Sequence, residues 1–597
     1  MPIEPVEIIK LLINVIIITI PGYFLSYLFS KTFTQLERIV FGFVCGLMFL
    51  VIGTFILDVI FKVKITQTLI IALFTIYFVL SLILYVLSLR KSGLPKINLN
   101  TLKNKKILLL VCILGFSFVM NFLPHLTNNY YLPFHVDEWI HWSSTRAVIE
   151  SGSTVFIDPY TGSGIVADSE IGFHLVAGIF YWLSETDFLT IFLIMPAIFS
   201  VFISLTVFNI GERATRKFGL ESAFFVTFIP TTVRFLGPSF FVPVTLGLLG
   251  ITFTIWLCQH KKIQTAFFIP LSILFMFLVH PPTALTGLLI IFMYSIFLVL
   301  EKQYKIAFIN IGLTLLPIVI ILLFTTTTRW GYSLNEVIHQ LFGAQYSLMY
   351  NLPKIWPSFE QLGILTWVLS IIGIYFCFTK GKATERTIGV SMIIFIIIIG
   401  AYDKFGYGSP IFYERSFLYL FLGVALIAGY GAAELRRLVT ENKEKVISKK
   451  FTHLLKNIDR FIPIIICLVL LLTAVPAHLN IPYYKIINEK DYETFTWIHA
   501  NIDDYRNANH TYDKAAVDPF IASPFTTITG VHTISSSMSP LYGYELHTEM
   551  EKFIREKCVN TSFLKKYNIG VVYGVCINNN LTMIHPNVYL YPELYKE

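Results

Sequence analysis

Apolar runs of membrane-spanning length fill this chain and leave few folds open to it. They lie near 8–29, 39–61, 67–89, 107–124, 188–209, 220–234, 242–259, 264–280, 283–300, 306–323, 364–378, 387–401, 416–433 and 461–476. Each approaches the roughly 20 apolar residues that a helix needs to cross a bilayer. They predict a polytopic α-helical membrane protein with about 14 transmembrane helices. Composition agrees: of 597 residues, 55% are hydrophobic and 14% charged, against roughly a quarter charged in soluble domains. The first run is too long for the core of a signal peptide, and no small-residue cleavage site follows it, so it reads as a true span.

Basic residues give the orientation. One linker carries Arg90, Lys91, Lys96, Lys103, Lys105 and Lys106; another, 434–460, carries Arg436, Arg437, Lys443, Lys445 and further lysines. Smaller groups are Arg213/Arg216/Lys217, Lys261/Lys262, Lys302/Lys305 and Lys380/Lys382/Arg386. With about 14 spans all fall on one side, which the positive-inside rule makes cytoplasmic. The net charge of +8 is therefore topological and carries no nucleic-acid signal. The other side receives loops at 125–187, 324–363 and 402–415 and the tail from 477. Loop 125–187 holds eight acidic residues and a single basic one, Arg146, and reads as the wall of a pocket.

Three segments follow: an N-terminal transmembrane module and linker (1–106), a transmembrane domain with the external loops (107–476), and a small extracytoplasmic α/β domain (477–597). In the last, 492–502 and 545–558 read as helices, and 515–517, 531–534 and 569–575 as short strands. Cys558 and Cys576 fall there, where a disulfide fits an external location. The other five cysteines lie in apolar runs as small hydrophobes.

The most chemically dense stretch is His135-Val-Asp137-Glu138-Trp139-Ile-His141-Trp142. At helical spacing Asp137 and His141 share a face, and Glu138 and Trp142 the next. The tryptophans suit a helix lying at the membrane interface. Ionisable groups beside lipid usually mark function. Further along the loop Asp168-x-Glu170 precedes His174, a set that could hold a divalent cation such as Mg2+ or Mn2+.

Asp137-Glu138 in the first large external loop, followed by Gly172-Phe173-His174 and Gly178 on a half-helix too short to span, resembles the GT-C superfamily of membrane glycosyltransferases. Tyr413-Glu414-Arg415-Ser416 at the outer start of a late span adds to the resemblance, as does the architecture. Pro21-Gly22-Tyr23 and Leu36-Glu37-Arg38 are similar to the extra N-terminal spans of some archaeal and bacterial members. The resemblance implies transfer of a sugar from a polyprenyl phosphate or diphosphate to an extracytoplasmic glycan, lipid or protein acceptor, with inversion. Asp137 is then the base that takes the acceptor proton, with Glu138 and His141 orienting it or meeting the acceptor. Arg415, beside Glu414, is the leading phosphate ligand because guanidinium grips phosphate bidentately. Arg329, Arg234 and His280 are further candidates, each with an anchoring or packing role as its competitor. His280-Pro281-Pro282 reads first as a helix break.

Oligosaccharyltransferases of this superfamily carry a Trp-Trp-Asp-Tyr-Gly-type motif in the C-terminal domain, and this chain has none. That counts against asparagine-linked transfer and leaves the metal open. The competing readings are a lipid-linked polysaccharide polymerase or ligase and, behind it, a multi-pass transporter. A deep apolar groove is expected to hold the prenyl tail, and 324–363, with Trp330, Tyr332 and Trp356, to act as a lid or an ordinary interface loop in equal measure.

Overall fold

The computed structural model describes residues 4–29, 33–92, 105–214, 217–232, 234, 236–327, 362–406, 408, 410–446, 458–506, 511–534 and 544–592. The chain opens with α1 (Pro5–Phe29), α2 (Gln35–Val59), α3 (Gln67–Ser92) and α4 (Lys105–Asn128). Next come α5 (Val136–Ser151), a hairpin of β1 (Val155–Ile157) and β2 (Ile165–Ala167), α6 (Ile171–Ser184), α7 (Phe188–Arg213) and α8 (Gly219–Val226). Then follow α9 (Pro243–Gln259), α10 (Ile263–Ala266), α11 (Phe268–Val279), α12 (Pro281–Leu300) and α13 (Tyr304–Thr327). The later helices are α14 (Ile364–Thr379), α15 (Ala383–Phe405), α16 (Pro410–Val446) and α17 (Ile458–Leu479). Nine helices among the described residues are long and apolar enough to cross a membrane: α1–α4, α7, α12 and α15–α17. Shorter apolar helices are α6, α9, α10 with α11, α13 and α14.

The continuous helix expected at 220–234 is corrected to a shorter one. That helix, α8, has 8 residues, about 12 Å of rise against roughly 30 Å of hydrocarbon. None of the described residues from Thr227 to Val242 is helical, and Phe228, Ile229, Phe240 and Phe241 are buried. Irregular backbone at such depth is tolerated where protein covers it. Here α7 and α16 flank α8, where Ser222 Oγ donates to the carbonyl of Leu426 at 2.9 Å, and Ser200 Oγ of α7 donates to the Pro238 carbonyl at 3.4 Å in the stretch beyond.

Small residues let α1 and α2 cross closely. A Cβ on Gly22 would come within 2.6 Å of the Gly42 carbonyl oxygen, so only glycine fits there. Thr34 and Glu37 form a capping box that starts α2. Glu37 is buried, and besides capping it binds Arg213 of α7 and Trp256 Nε1 of α9 (3.2 Å). That carboxylate ties the N-terminal helices to the central ones. At the other end of α2, Asp58 Oδ2 accepts from the Thr154 backbone N–H (2.8 Å) and Ser153 Oγ (3.2 Å), just beyond α5. The Ile65 N–H meets the Gly152 carbonyl at 2.7 Å, where Gly152, at φ 65°, ends α5 in the left-handed conformation.

The remaining elements are α18 (Glu489–Asn501), β3 (Lys514–Ala516), α19 (Ala522–Thr529), β4 (His532–Thr533), α20 (Tyr544–Arg555), α21 (Thr561–Tyr567), β5 (Val571–Tyr573), β6 (Thr582–His585) and β7 (Val588–Leu590). They build a five-stranded sheet of order β4-β3-β5-β7-β6, parallel between β4, β3 and β5 and antiparallel beyond. Cys558 and Cys576 are joined as a disulfide. The sheet side of the molecule docks on α5: Thr527 Oγ1 donates to the Trp139 carbonyl at 2.9 Å, and the Thr533 N–H to that of Tyr160 at 2.9 Å.

Candidate functional site

The helix α5 is not the interfacial surface helix that its tryptophans suggest. Trp139 is fully buried, stacks on Trp142 at 5.3 Å and donates to the Pro133 carbonyl at 3.2 Å. The helix is held between α6 and α19. Its start is a capping box with an imidazole in place of the usual hydroxyl. His135 Nδ1 accepts from the Asp137 N–H (3.1 Å), and Glu138 Oε2 accepts from the His135 N–H (3.1 Å). Glu138 Oε1 accepts from the Phe241 N–H at 3.0 Å. Both oxygens of Glu138 therefore serve backbone donors and fix α5 against the segment after α8. Its place is structural, and Asp137 is the acid left at the helix start, with Oδ1 3.6 Å from His135 Nδ1.

Burial raises the Glu138 carboxyl to about 8, against the pull of its backbone donors. A folded-state value above the ordinary one stabilises fully at low pH, and that stabilisation is lost as pH rises through about 8. Thermal unfolding of purified protein should show a melting temperature falling between about pH 5 and 8, with a smaller fall in Glu138→Gln. An unchanged pH slope in that variant would contradict the assignment.

One turn along, His141 faces Glu170. Its Nε2 is 3.7 Å from Glu170 Oε2, while Nδ1 is buried without a hydrogen-bond partner among the described residues. Burial and the nearby His174 lower the His141 imidazole to about 4. His280 approaches Glu170 from the other side, its Nε2 3.7 Å from Oε1. It does break the helix, standing between α11 and α12 with extended backbone (φ −160°, ψ 96°), and that break turns its ring into the site. His280 Nδ1 is 2.5 Å from Thr283 Oγ1, which is 2.8 Å from the Tyr419 hydroxyl. Burial, with Asp168 adding to it, pushes the Glu170 carboxyl well up, and the Arg415 charge opposes this.

Asp168 Oδ1 accepts from the Glu170 N–H (2.8 Å) and Oδ2 pairs with His174 Nε2 (2.9 Å). Burial alone would raise the Asp168 carboxyl, yet the His174 hydrogen bond and charge bring it down to about 2. His174 is wholly buried, with Nδ1 3.3 Å from Thr145 Oγ1. With both ring nitrogens engaged it is not an available ligand, so Asp168, Glu170 and His174 do not stand as a cation-binding trio. Among the described residues no three His, Cys, Asp or Glu side chains converge as metal ligands.

Arg415 lies in the first turns of α16. Its Nη1 donates to the Arg234 carbonyl at 3.4 Å, and its Nε is buried with no hydrogen-bond partner among the described residues. Arg234 and Glu414 belong to the same charged neighbourhood. Arg329 and nearly all of the expected lid at 324–363 lie outside the described residues. Beneath the site, Tyr419 also lines an apolar groove between α9, α12, α15 and α16, with Ile251, Ile290, Phe395 and Leu422. Sequence reasoning placed His280 with the phosphate ligands and missed Thr283, Tyr419 and the Phe241 amide. No local pattern pairs them with residues so far away along the chain.

Helices long and apolar enough to cross a membrane surround an acidic, imidazole-lined cleft, with a small α/β layer docked on α5, and solved structures share this fold. Among them are structures of an oligosaccharyltransferase from the archaeon Archaeoglobus fulgidus. The apo form has a TM-score of 0.52 at 12% identity, covering 78% of this chain and 69% of that one. The oligosaccharyltransferase AglB from the same organism, with an inhibitory peptide and a dolichol-phosphate, gives 0.51 at 12%, covering 80% and 70%. The form tethered to an acceptor peptide containing the NVT sequon gives 0.50 at 12%, covering 78% and 68%. At this identity the likeness is one of fold. No protein-family model and no curated protein sequence matches the chain.

Proposed function

We propose that the protein is a membrane glycosyltransferase that moves a sugar from a polyprenyl phosphate or diphosphate to a glycan, lipid or protein acceptor outside the cytoplasm. The observation that carries this is the continuity of site and groove. Glu170, His280, Thr283 and Tyr419 form a chain of close polar neighbours from the acidic cleft into an apolar slot among the helices. A donor with a charged head and a greasy tail needs both together, and because the slot holds only about 20 Å³ the tail would have to part the helices that line it. Arg415 near the cleft supplies a guanidinium with an unpartnered Nε for the phosphate.

In this reading the acceptor hydroxyl, or amide, attacks the anomeric carbon while the bond from that carbon to the phosphate oxygen breaks. Asp137 takes the acceptor proton, and the lipid phosphate leaves with its charge held by Arg415. Attack opposite the leaving group inverts the anomeric centre. Glu138 orients the start of α5, and the Glu170–His141–His280 group shapes the cleft. The chain would cross the bilayer about 14 times, with α8 and the irregular stretch after it as one crossing. Ion pairs such as Lys106–Glu212 and Arg436–Glu221 gather basic residues at helix ends away from the site, which supports an extracytoplasmic cleft by the positive-inside rule. The Cys558–Cys576 disulfide fits an oxidising compartment.

Mass spectrometry of lipid-linked sugars and envelope glycans from cells with and without the gene tests the assignment. Loss of the gene should leave a glycosylated polyprenyl carrier in excess and remove one glycan product; unchanged profiles of both would refute it. With purified enzyme, Arg415→Ala should lower transfer by about 10²–10³-fold, the range for losing one preorganised charge-stabilising group. Arg415→Lys should recover part of the loss, because it keeps the charge without the bidentate fork.

A further inference from the structure

A cleft of about 360 Å³ opens on the other side of α5 from Asp137 and His141. Ser143, Arg146, Ala147 and Glu150 recur at steps of three and four and give it one helical wall. The turn of the β1–β2 hairpin forms a second wall, and α19 with β4 the third. The volume falls in the range of small-molecule sites.

Its polar groups are of mixed kind. Arg146 Nε donates to Glu150 Oε1 (2.6 Å) and Nη1 to the Thr527 carbonyl (3.4 Å). Nη2 extends beside Gly530, which has no side chain to cover it. His532 Nδ1 lies 2.8 Å from the Pro159 carbonyl, which can only accept, so Nδ1 carries the proton. In the neutral ring Nε2 is then an acceptor. It lies against Gly162, where a Cβ would come within 2.5 Å of it. Asp158 is committed to its own turn, taking the Tyr160 N–H (2.9 Å) and the Thr161 hydroxyl (3.0 Å). Ile157, 60% exposed, adds an aliphatic wall. Guanidinium donors beside imidazole and carboxylate acceptors, with an apolar flank and no excess of positive charge, suit a ligand with hydroxyls on its edge and C–H groups on its face.

We infer that this cleft is a saccharide subsite that holds a neutral sugar of an oligosaccharide acceptor, apart from the bond being made. The inference rests on the transferase reading above. Two of its walls run straight into the candidate site: α5 leads back to Asp137, and the hairpin leads on to Asp168 and Glu170. A bound sugar would therefore fix both sets of acids. Asp137 and Arg146 are nine residues apart on α5, about 14 Å along its axis, so an acceptor reaching from cleft to base needs several sugar residues.

The test uses the full-length protein in lipid nanodiscs, without donor. Saturation-transfer NMR would be recorded with neutral gluco-, manno- and chito-oligosaccharides and with uronic-acid oligosaccharides of matched length. At least one neutral series should bind. Ala147→Trp, which fills the cleft, should weaken that binding at least tenfold, and Glu150→Gln should weaken it less, both with unchanged melting temperature. If Ala147→Trp lowers the melting temperature, Glu150→Gln alone decides, by weakening binding or leaving it intact. Absence of binding in every neutral series, binding indifferent to both cleft variants, or a preference for the uronic series overturns the inference. Because no donor is present, binding survives if the transferase reading fails.

Discussion

Asp137→Ala should reduce sugar transfer by about 10²–10⁴-fold, the range for losing a positioned general base, with the melting temperature little changed. The reason is where the carboxylate sits. Its neighbour Glu138 is committed to the backbone of His135 and Phe241, whereas Asp137 has His135 as its close polar contact, 3.6 Å away. Removing it therefore subtracts chemistry and leaves the helix start intact. Asp137→Asn keeps the shape without the basicity and should be as inactive. Donor binding, measured with a non-transferable polyprenyl-phosphate analogue, should persist in both variants, since phosphate is assigned to Arg415. Full transfer by Asp137→Ala would remove Asp137 from the mechanism.

Glu37→Ala should be the most destabilising single change on the opposite end of the molecule. Glu37 is 2% exposed and holds the Thr34 N–H (2.7 Å), the Arg213 guanidinium and Trp256 Nε1 together. Removing one partner of such a pair leaves the other charge without compensation, at about 3–5 kcal/mol. Arg213 is partly exposed and can recover some hydration, so the lower part of that range is expected. A shift of melting temperature in detergent reads the effect. Glu37→Gln, whose amide has one acceptor oxygen, should recover either the capping or the indole contact but not both, nor the ion pair, and should fall between. A Glu37→Ala protein as stable as the wild type would mean that the N-terminal helices are held by apolar packing alone.

The helices were largely legible because their apolar length is a physical requirement of lipid. The failure at 220–234 has the same origin. Phe228, Ile229 and Phe241 are as apolar as lipid-facing residues, but protein covers them, and hydropathy does not distinguish the two solvents. Trp139 misled for the opposite reason. A tryptophan beside charged residues reads as an interface anchor until the carbonyl contact from Thr527, almost 400 residues later, closes the protein over it. The acids and imidazoles of the site were visible as unusual residues for a greasy chain. Their grouping was not, since Glu170 meets His280 across six intervening helices and His174 turns away into Asp168 and Thr145. In the C-terminal layer β6 and β7 passed unread, being four and three residues long.

Asp58 gives the N-terminal helices a mechanical meaning. Much of α1 and α3 faces outward as apolar surface, so the thickness of the surrounding bilayer sets how deep they ride. Through Asp58 on Thr154, and Ile65 on Gly152, that depth is passed to the far end of the helix that begins with Asp137. We expect this linkage to gear the cleft to the membrane around it, so that a thinner or thicker bilayer shifts α5 without any ligand. Transfer rates in nanodiscs of graded acyl-chain length, compared between wild type and Asp58→Ala, would read that gearing directly.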